Sequence, residues 1–213
     1  MPKDPMSQKT VSSYAPDKST ILENVRYKLV CRSRNAEMLK GMPHKDFLDL
    51  SAVYRIPMAR TPDSEFSLVI QHNSMCTEHG ITFKELDAAA YRNTKKEWFK
   101  THALNAFPSS TGTTVLYEVL GGRMVYGSNA LLYPKSLDKA AGMLQDDLYV
   151  LAFSIHQLIA GPVSGSDPHM LALAAQAIGS AGMPPEYFLS GSVYRYDRSS
   201  GSLEIAVPSA GRL

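Results

Sequence analysis

Apolar positions recur with period two in some stretches of this chain and at helical spacing in others. The two patterns follow one another in a repeated order of paired strands and then a helix. The clearest copy is DDLYVLAFSIHQLIAGP (Asp146–Pro162), where Leu148–Ala152 and Gln157–Ala160 form two strands around a break at Phe153–His156. Asp167-Pro168 then supplies an N-cap acceptor and a proline whose missing N–H costs nothing at a first helical position, which predicts a helix to about Ile178. That helix is apolar on most sides, so it is expected to be well buried.

The same reading extends along the chain. Thr20 and Glu23 have the spacing of a capping box, and Ile21, Val25, Leu29 and Val30 follow at helical spacing, predicting a helix that breaks near 33–35 and stops before Pro43. Residues 46–58, DFLDLSAVYRIPM, read as one strand whose core face is Leu48, Leu50, Ala52, Tyr54 and Ile56. Thr61–Glu65 is turn chemistry, and Ser67–Gln71 the returning strand. Asn73 or Ser74 caps a short helix closed by Gly80, and Thr82 with Glu85 opens another to about Asn93. A further helical piece is expected over Glu97–Ala106, then a loop over Pro108–Thr113. Thr114–Val119 and Met124–Leu132 are expected to pair around Gly121-Gly122. Pro134 fits the first turn of a helix carrying Leu137, Ala140, Ala141 and Leu144. Ser192–Tyr196 and Leu203–Val207 make a last hairpin.

Hairpins alternating with helices predict an α+β fold, a mainly antiparallel sheet with helices packed on it. The units differ in sequence, so the architecture repeats without a duplicated motif. Residues 1–18 are polar and proline-rich and are expected to form a flexible tail, with 19–213 a single globular domain in which 108–113 marks the place for a division into subdomains.

Composition narrows the function only by exclusion. Of 213 residues, 44% are hydrophobic, and 22 basic against 20 acidic side chains leave a charge of +2, too little for a global field toward nucleic acid or a membrane. The two cysteines, Cys31 and Cys76, are far from any CxxC pair, which points to reduced thiols. The N-terminus has no apolar signal region, and no apolar run approaches the roughly 18 residues that a membrane span needs. A cytoplasmic protein is expected. Without a strand–glycine loop–helix unit of the dinucleotide or P-loop kind, no cofactor is expected.

Four stretches together, PHKDFLDLSAVYR (Pro43–Arg55), GSNALLYP (Gly127–Pro134), Asp146–Pro162 and SGSVYRYDRSSGSLEIA (Ser190–Ala206), resemble an uncharacterised family catalogued as a domain of unknown function and common in Clostridia and related gut bacteria. The resemblance runs from about Tyr14 to Val207. It implies a cytoplasmic bacterial protein and supplies no activity. Members of that family usually carry a further N-terminal region, so this chain looks like a shortened member or a trimmed segment. Where the family tends to read Pro-Ser-Ser-Ile-His-Glu, this chain has Ala152 to Gln157, so the carboxylate beside the histidine is missing.

Several residues invite a chemical reading. His156 could act as base for Ser154, two positions away on a turn, with Tyr149 or Asp197 orienting it, but a turn serine and histidine bonding local backbone is the plainer account. Asp49, between two leucines and on the same strand face as Arg55, could be a half-buried acid, or could pair with a nearby arginine or lysine or satisfy a loop amide. Arg195 and Asp197 share one strand face, with a cross-strand ion pair to Glu204 as their ordinary role. His72, Cys76 and His79 could meet at a metal, although three borderline ligands seldom make a site. Arg92, Lys95, Lys96 and Lys100 around Trp98 could grip a phosphate backbone, or form a solvated helix face broken by Glu97.

With no convincing nucleophile, the leading expectation is a non-enzymatic protein-binding or regulatory module with an unidentified protein partner. The alternatives are a hydrolase or transferase using His156 with Ser154 or Asp49, and a nucleic-acid binder using the Arg92–Lys100 face.

Overall fold

The computed structural model describes residues 16–60, 65–97, 99–109, 112–121, 125–180 and 183–209, with only the backbone described at 60, 100, 102–109, 112–117, 119–121 and 180. In chain order the elements are α1 (Lys18–Asn24), β1 (Arg26–Cys31), α2 (Ala36–Leu39), β2 (His44–Phe47), β3 (Leu50–Arg60), β4 (Glu65–Val69), α3 (Asn73–Glu78), α4 (Phe83–Lys95), β5 (Phe99–Ser109) and β6 (Gly112–Gly121). After two 3₁₀ turns, Gly127–Leu132 and Pro134–Leu137, come α5 (Asp138–Leu144), β7 (Leu148–Leu151), β8 (Gln157–Pro162), α6 (Pro168–Ser180), β9 (Val193–Asp197) and β10 (Ser202–Val207). The fold is α+β, with two antiparallel sheets. In the first, β3 carries β1 on one edge and β2 and β4 on the other; the second runs β10-β9-β7-β8-β6-β5. A continuous core joins Tyr27, Leu50 and Leu86 to Leu131, Leu148, Leu158 and Tyr196 of the second half.

The predicted N-terminal helix is cut short. Asp17, not Thr20, is the N-cap and accepts from the Thr20 amide at 2.7 Å, and α1 ends at Asn24. Beyond it Tyr27 and Leu29 are buried, alternating with half-buried Arg26, Lys28 and Val30. That period-two register pairs with β3 and overrides the coincident helical spacing. Residues 1–15 of the expected tail lie outside the described residues, whereas Lys18 reaches the Gly80 carbonyl at 2.7 Å and Glu85 at 2.9 Å.

The stretch predicted as one strand from Asp46 is a hairpin that turns at Leu48-Asp49, with Leu48 at φ 53°. Leu-Asp is weak turn chemistry, so the reversal left little mark in the sequence. Along β3, residues 51–56 are buried on both faces, including Ser51, Val53 and Arg55.

Phe99–Ser109 is a strand and not a helix, paired to β6. Pairing there outweighs the helix propensity of its alanines and leucine. The strands run through part of the predicted 108–113 loop, of which 110–111 lie outside the described residues. Gly127–Leu132 is a buried 3₁₀ turn instead of a strand, and the second partner of β6 is β8. The capping box of α4, the Gly80 closure, proline at the turn before α5, and the hairpins β7–β8 and β9–β10 match the sequence pattern. On α6, Ala172 and Ala175 are buried, but Met170 and Leu173 are 61% and 58% exposed, so the helix is less buried than its sequence suggests.

Candidate functional site

The β2–β3 turn drives Asp49 into the end of the second sheet. Ser190 and Ser192 donate to its Oδ2 at 2.7 and 2.8 Å, and the Tyr194 hydroxyl donates to its Oδ1 at 2.6 Å. Burial first, and then the Asp49 charge, push the Tyr194 phenol far above its ordinary pKa, so it stays a donor. Arg32 braces the turn by donating to the Leu48 and Leu50 carbonyls.

Beside this cluster opens a cleft of about 630 Å³, lined by Cys31, Arg34, Asp49, Phe188, Ser190 and Ser209 among others. A second cavity of about 420 Å³ adjoins it, lined by Lys28, Met38, Met42, Val53, Gln71 and Glu186 among others. Cys31, Arg34 and Phe188 border both. The Arg34 guanidinium sits 4.2 Å above the Phe188 ring and divides them. Both volumes suit a small molecule.

Ser154 and His156 occupy neither of these cavity walls. The buried Ser154 Oγ accepts from the His156 backbone N–H at 3.1 Å, a local turn bond. The imidazole packs edge-on to Tyr187 at 4.8 Å and faces Tyr126 at 5.8 Å. Its Nδ1 accepts from the Tyr126 amide at 3.4 Å, which leaves the proton on Nε2. Burial and then Lys28 hold its pKa below the ordinary value, so the ring is neutral near pH 7. Asp49 and Ser154 are therefore engaged separately, and no bond links either side chain to the imidazole among the described residues. Among the described residues, neither Tyr149 nor Asp197 bonds to the ring: Asp197 accepts from Ser199 and Ser200 in the β9–β10 turn.

A charged network that the sequence reading missed lies nearby. Arg55, fully buried, donates to the Tyr27 carbonyl at 3.1 Å, to Glu65, and to Glu97 at 3.0 and 3.2 Å, with its guanidinium 3.9 Å from the Tyr126 ring centroid. Arg26 Nε stands 3.0 Å from Glu97 Oε1, an ion-pair contact without hydrogen-bond geometry. Arg55 thus pairs with Glu65 and Glu97 and not with Asp49. The only hint in the sequence was an arginine inside an apolar strand run. Arg195 pairs with Asp147 at 2.8 Å, although Glu204 is its cross-strand neighbour.

His72 is the N-cap of α3, Cys76 is buried on it, and His79 ends it. Among the described residues, no three His, Cys, Asp or Glu side chains come together as metal ligands. Arg92, Lys95 and Lys96 are exposed at the end of α4. Trp98 lies outside the described residues, and for Lys100 only the backbone is described, on β5. Exposed Phe83, Lys84, Tyr91 and Arg92, with Lys45 and Asp87, border an open groove of about 470 Å³ on the outer face of α4.

No helix among the described residues is long and apolar enough to cross a membrane, and both cysteines are free thiols. No curated protein and no solved structure matches the chain. A protein-family model described as a family of unknown function, DUF5688, matches residues 3–198. That match spans nearly the whole sequence, and the chain belongs to this family.

Proposed function

We propose that this protein is a cytoplasmic protein-binding or regulatory module with no chemistry of its own, and that α6 is the surface it presents to its partner. The observation that carries the reading is the outward face of α6. Met170, Leu173 and Ile178 are 61%, 58% and 37% exposed, and Ala174 and Ala177 lie exposed between them. These positions follow helical spacing, so they form one stripe. Single exposed hydrophobics are ordinary, but a contiguous stripe marks a contact surface. Pro168–Ser180 contains no charged residue, so the partner must offer an equally uncharged apolar face. The two alanines let a partner helix approach closely between the larger side chains.

The test is a photo-crosslinking residue at position 173 of the full chain in native lysate, with one at exposed Ser200 as control. One discrete adduct at 173, absent at 200 and lost when Ala177→Glu is added, supports the reading whether the adduct is a second copy or another protein. Equal or diffuse labelling at both positions overturns it.

A nucleic-acid reading draws on the α4 groove, where Phe83 and Tyr91 are 50% and 43% exposed beside Lys84 and Arg92. It requires affinity for single-stranded oligonucleotides that falls steeply with salt and weakens in a Lys95/Lys96 double alanine variant. The hydrolase or transferase reading has less support, because Ser154 offers its lone pair to a backbone amide and Asp49 is taken up by three hydroxyls.

A further inference from the structure

The cavity bordered by β1, the turn after it and the segment before β9 contains an imbalance. Lys28 reaches into it from β1, half-buried, and its ammonium has no hydrogen-bond or ion-pair partner among the described residues. A half-buried cation without a partner is uncommon, because desolvation has to be compensated. Its surroundings do not compensate it. Burial first, and then the nearby Arg55 charge, hold the Lys28 pKa below the ordinary lysine value. Glu186 acts the other way, from an exposed position where water screens it. The Arg55 charge is already matched by Glu65 and Glu97. On the cavity wall itself, Lys28 is the cation left without a hydrogen-bond or ion-pair partner among the described residues.

Apart from Cys31, Asn35 and Gln71, the rest of the lining is apolar. Val30, Met42, Val53 and Val69 pack into one apolar cluster on that wall, and Met38 and Phe188 line it as well. The volume, about 420 Å³, matches a small metabolite and is too confined for a folded partner. The methionines supply an adaptable wall for an aliphatic or aromatic body.

We infer that this cavity binds a small organic monoanion, a carboxylate on an apolar body, with the carboxylate on Lys28 and the body against Met38, Met42 and Val53. One unpartnered ammonium fits a single carboxylate better than a phosphate dianion. The ligand completes the coordination that Lys28 lacks and displaces water from the apolar wall. The site shares no lining residue with the α6 surface.

Isothermal titration of the full chain with octanoate, octan-1-ol and inorganic phosphate tests it. Octanoate is expected to bind one to one, and octan-1-ol at least about tenfold more weakly, the loss of one charge-assisted contact. Lys28→Met should bring octanoate down to the octan-1-ol level, while Lys28→Arg keeps the preference. Met38→Trp, at a position 45% exposed and therefore tolerant, should fill the mouth and block binding. Leu173→Glu on α6 should leave octanoate binding unchanged. No octanoate binding, equal affinity for the alcohol, tighter binding of phosphate, or octanoate affinity indifferent to Lys28→Met would overturn the inference.

Discussion

Asp49 and Tyr194 are joined by a 2.6 Å hydrogen bond across 145 residues of chain, one from the turn of a hairpin in the first sheet and the other from a strand of the second. Ser190 and Ser192 close on the same carboxylate. Tyr194→Phe removes one donor to a charged acceptor and should cost about 1.5–3 kcal/mol. Asp49→Ala should cost more, because it strands three hydroxyls in a part-buried site. Urea unfolding midpoints read both, and the double variant should fall short of their sum. Full additivity would show that the hydroxyls find other acceptors.

Arg55 offers a sharper case. Its side chain is fully buried, and Glu65 beside it is 3% exposed. Arg55→Met should destabilise by about 3–5 kcal/mol, since it leaves a buried carboxylate without its cation. Adding Glu65→Gln should recover part of that loss, because the stranded charge is what costs most. A midpoint unchanged in Arg55→Met would mean that the Glu65 carboxylate relocates to water or to another partner.

Those two clusters show where sequence reading succeeds and stops. Local signals were legible: the Thr82–Glu85 box, Gly80, Pro134 and the alternation in β7–β8 and β9–β10 depend on neighbours within a few positions. Arg26–Cys31 was misread because Ile21, Val25 and Leu29 satisfy a helical spacing that pairing with β3 defeats. Asp49 was picked out as a candidate acid, but its partners lie more than 140 positions away, and no local pattern names them. Lys28 carried no signal, since its isolation is a property of the surrounding cavity and not of its flanking residues.

Glu85 gives a dependence on pH. Its pKa is lowered to about 2, first by the Thr82 backbone amide and then by Lys18. The folded value lies below the unfolded one, so the stabilisation is complete above about pH 4.5 and is lost as pH falls toward 2. The stability difference between wild type and Glu85→Gln should shrink steadily over that interval in urea titrations. A difference that stays constant from pH 6 to pH 2 would remove the capping carboxylate as its source.

Gly179 faces two opposing effects. Alanine in a helix is favoured over glycine by about 1 kcal/mol. A Cβ at 179, however, would stand 2.5 Å from a ring carbon of Phe188, which is itself 6% exposed. Overpacking of that kind costs about 1–3 kcal/mol, so Gly179→Ala should be net destabilising. Phe188→Leu in the same chain should turn the substitution favourable. Thermal melts of the single and double variants decide it.

Phe188 is thus pressed on one side by a helix backbone with no room to spare and capped on the other by the Arg34 guanidinium. A ring held in this way behaves as a rigid spacer. Whatever tilts α6 must also tilt the wall between the two hollows, enlarging one at the expense of its neighbour. Occupancy inside and docking outside would then change each other's strength by the same factor, as reciprocal linkage requires.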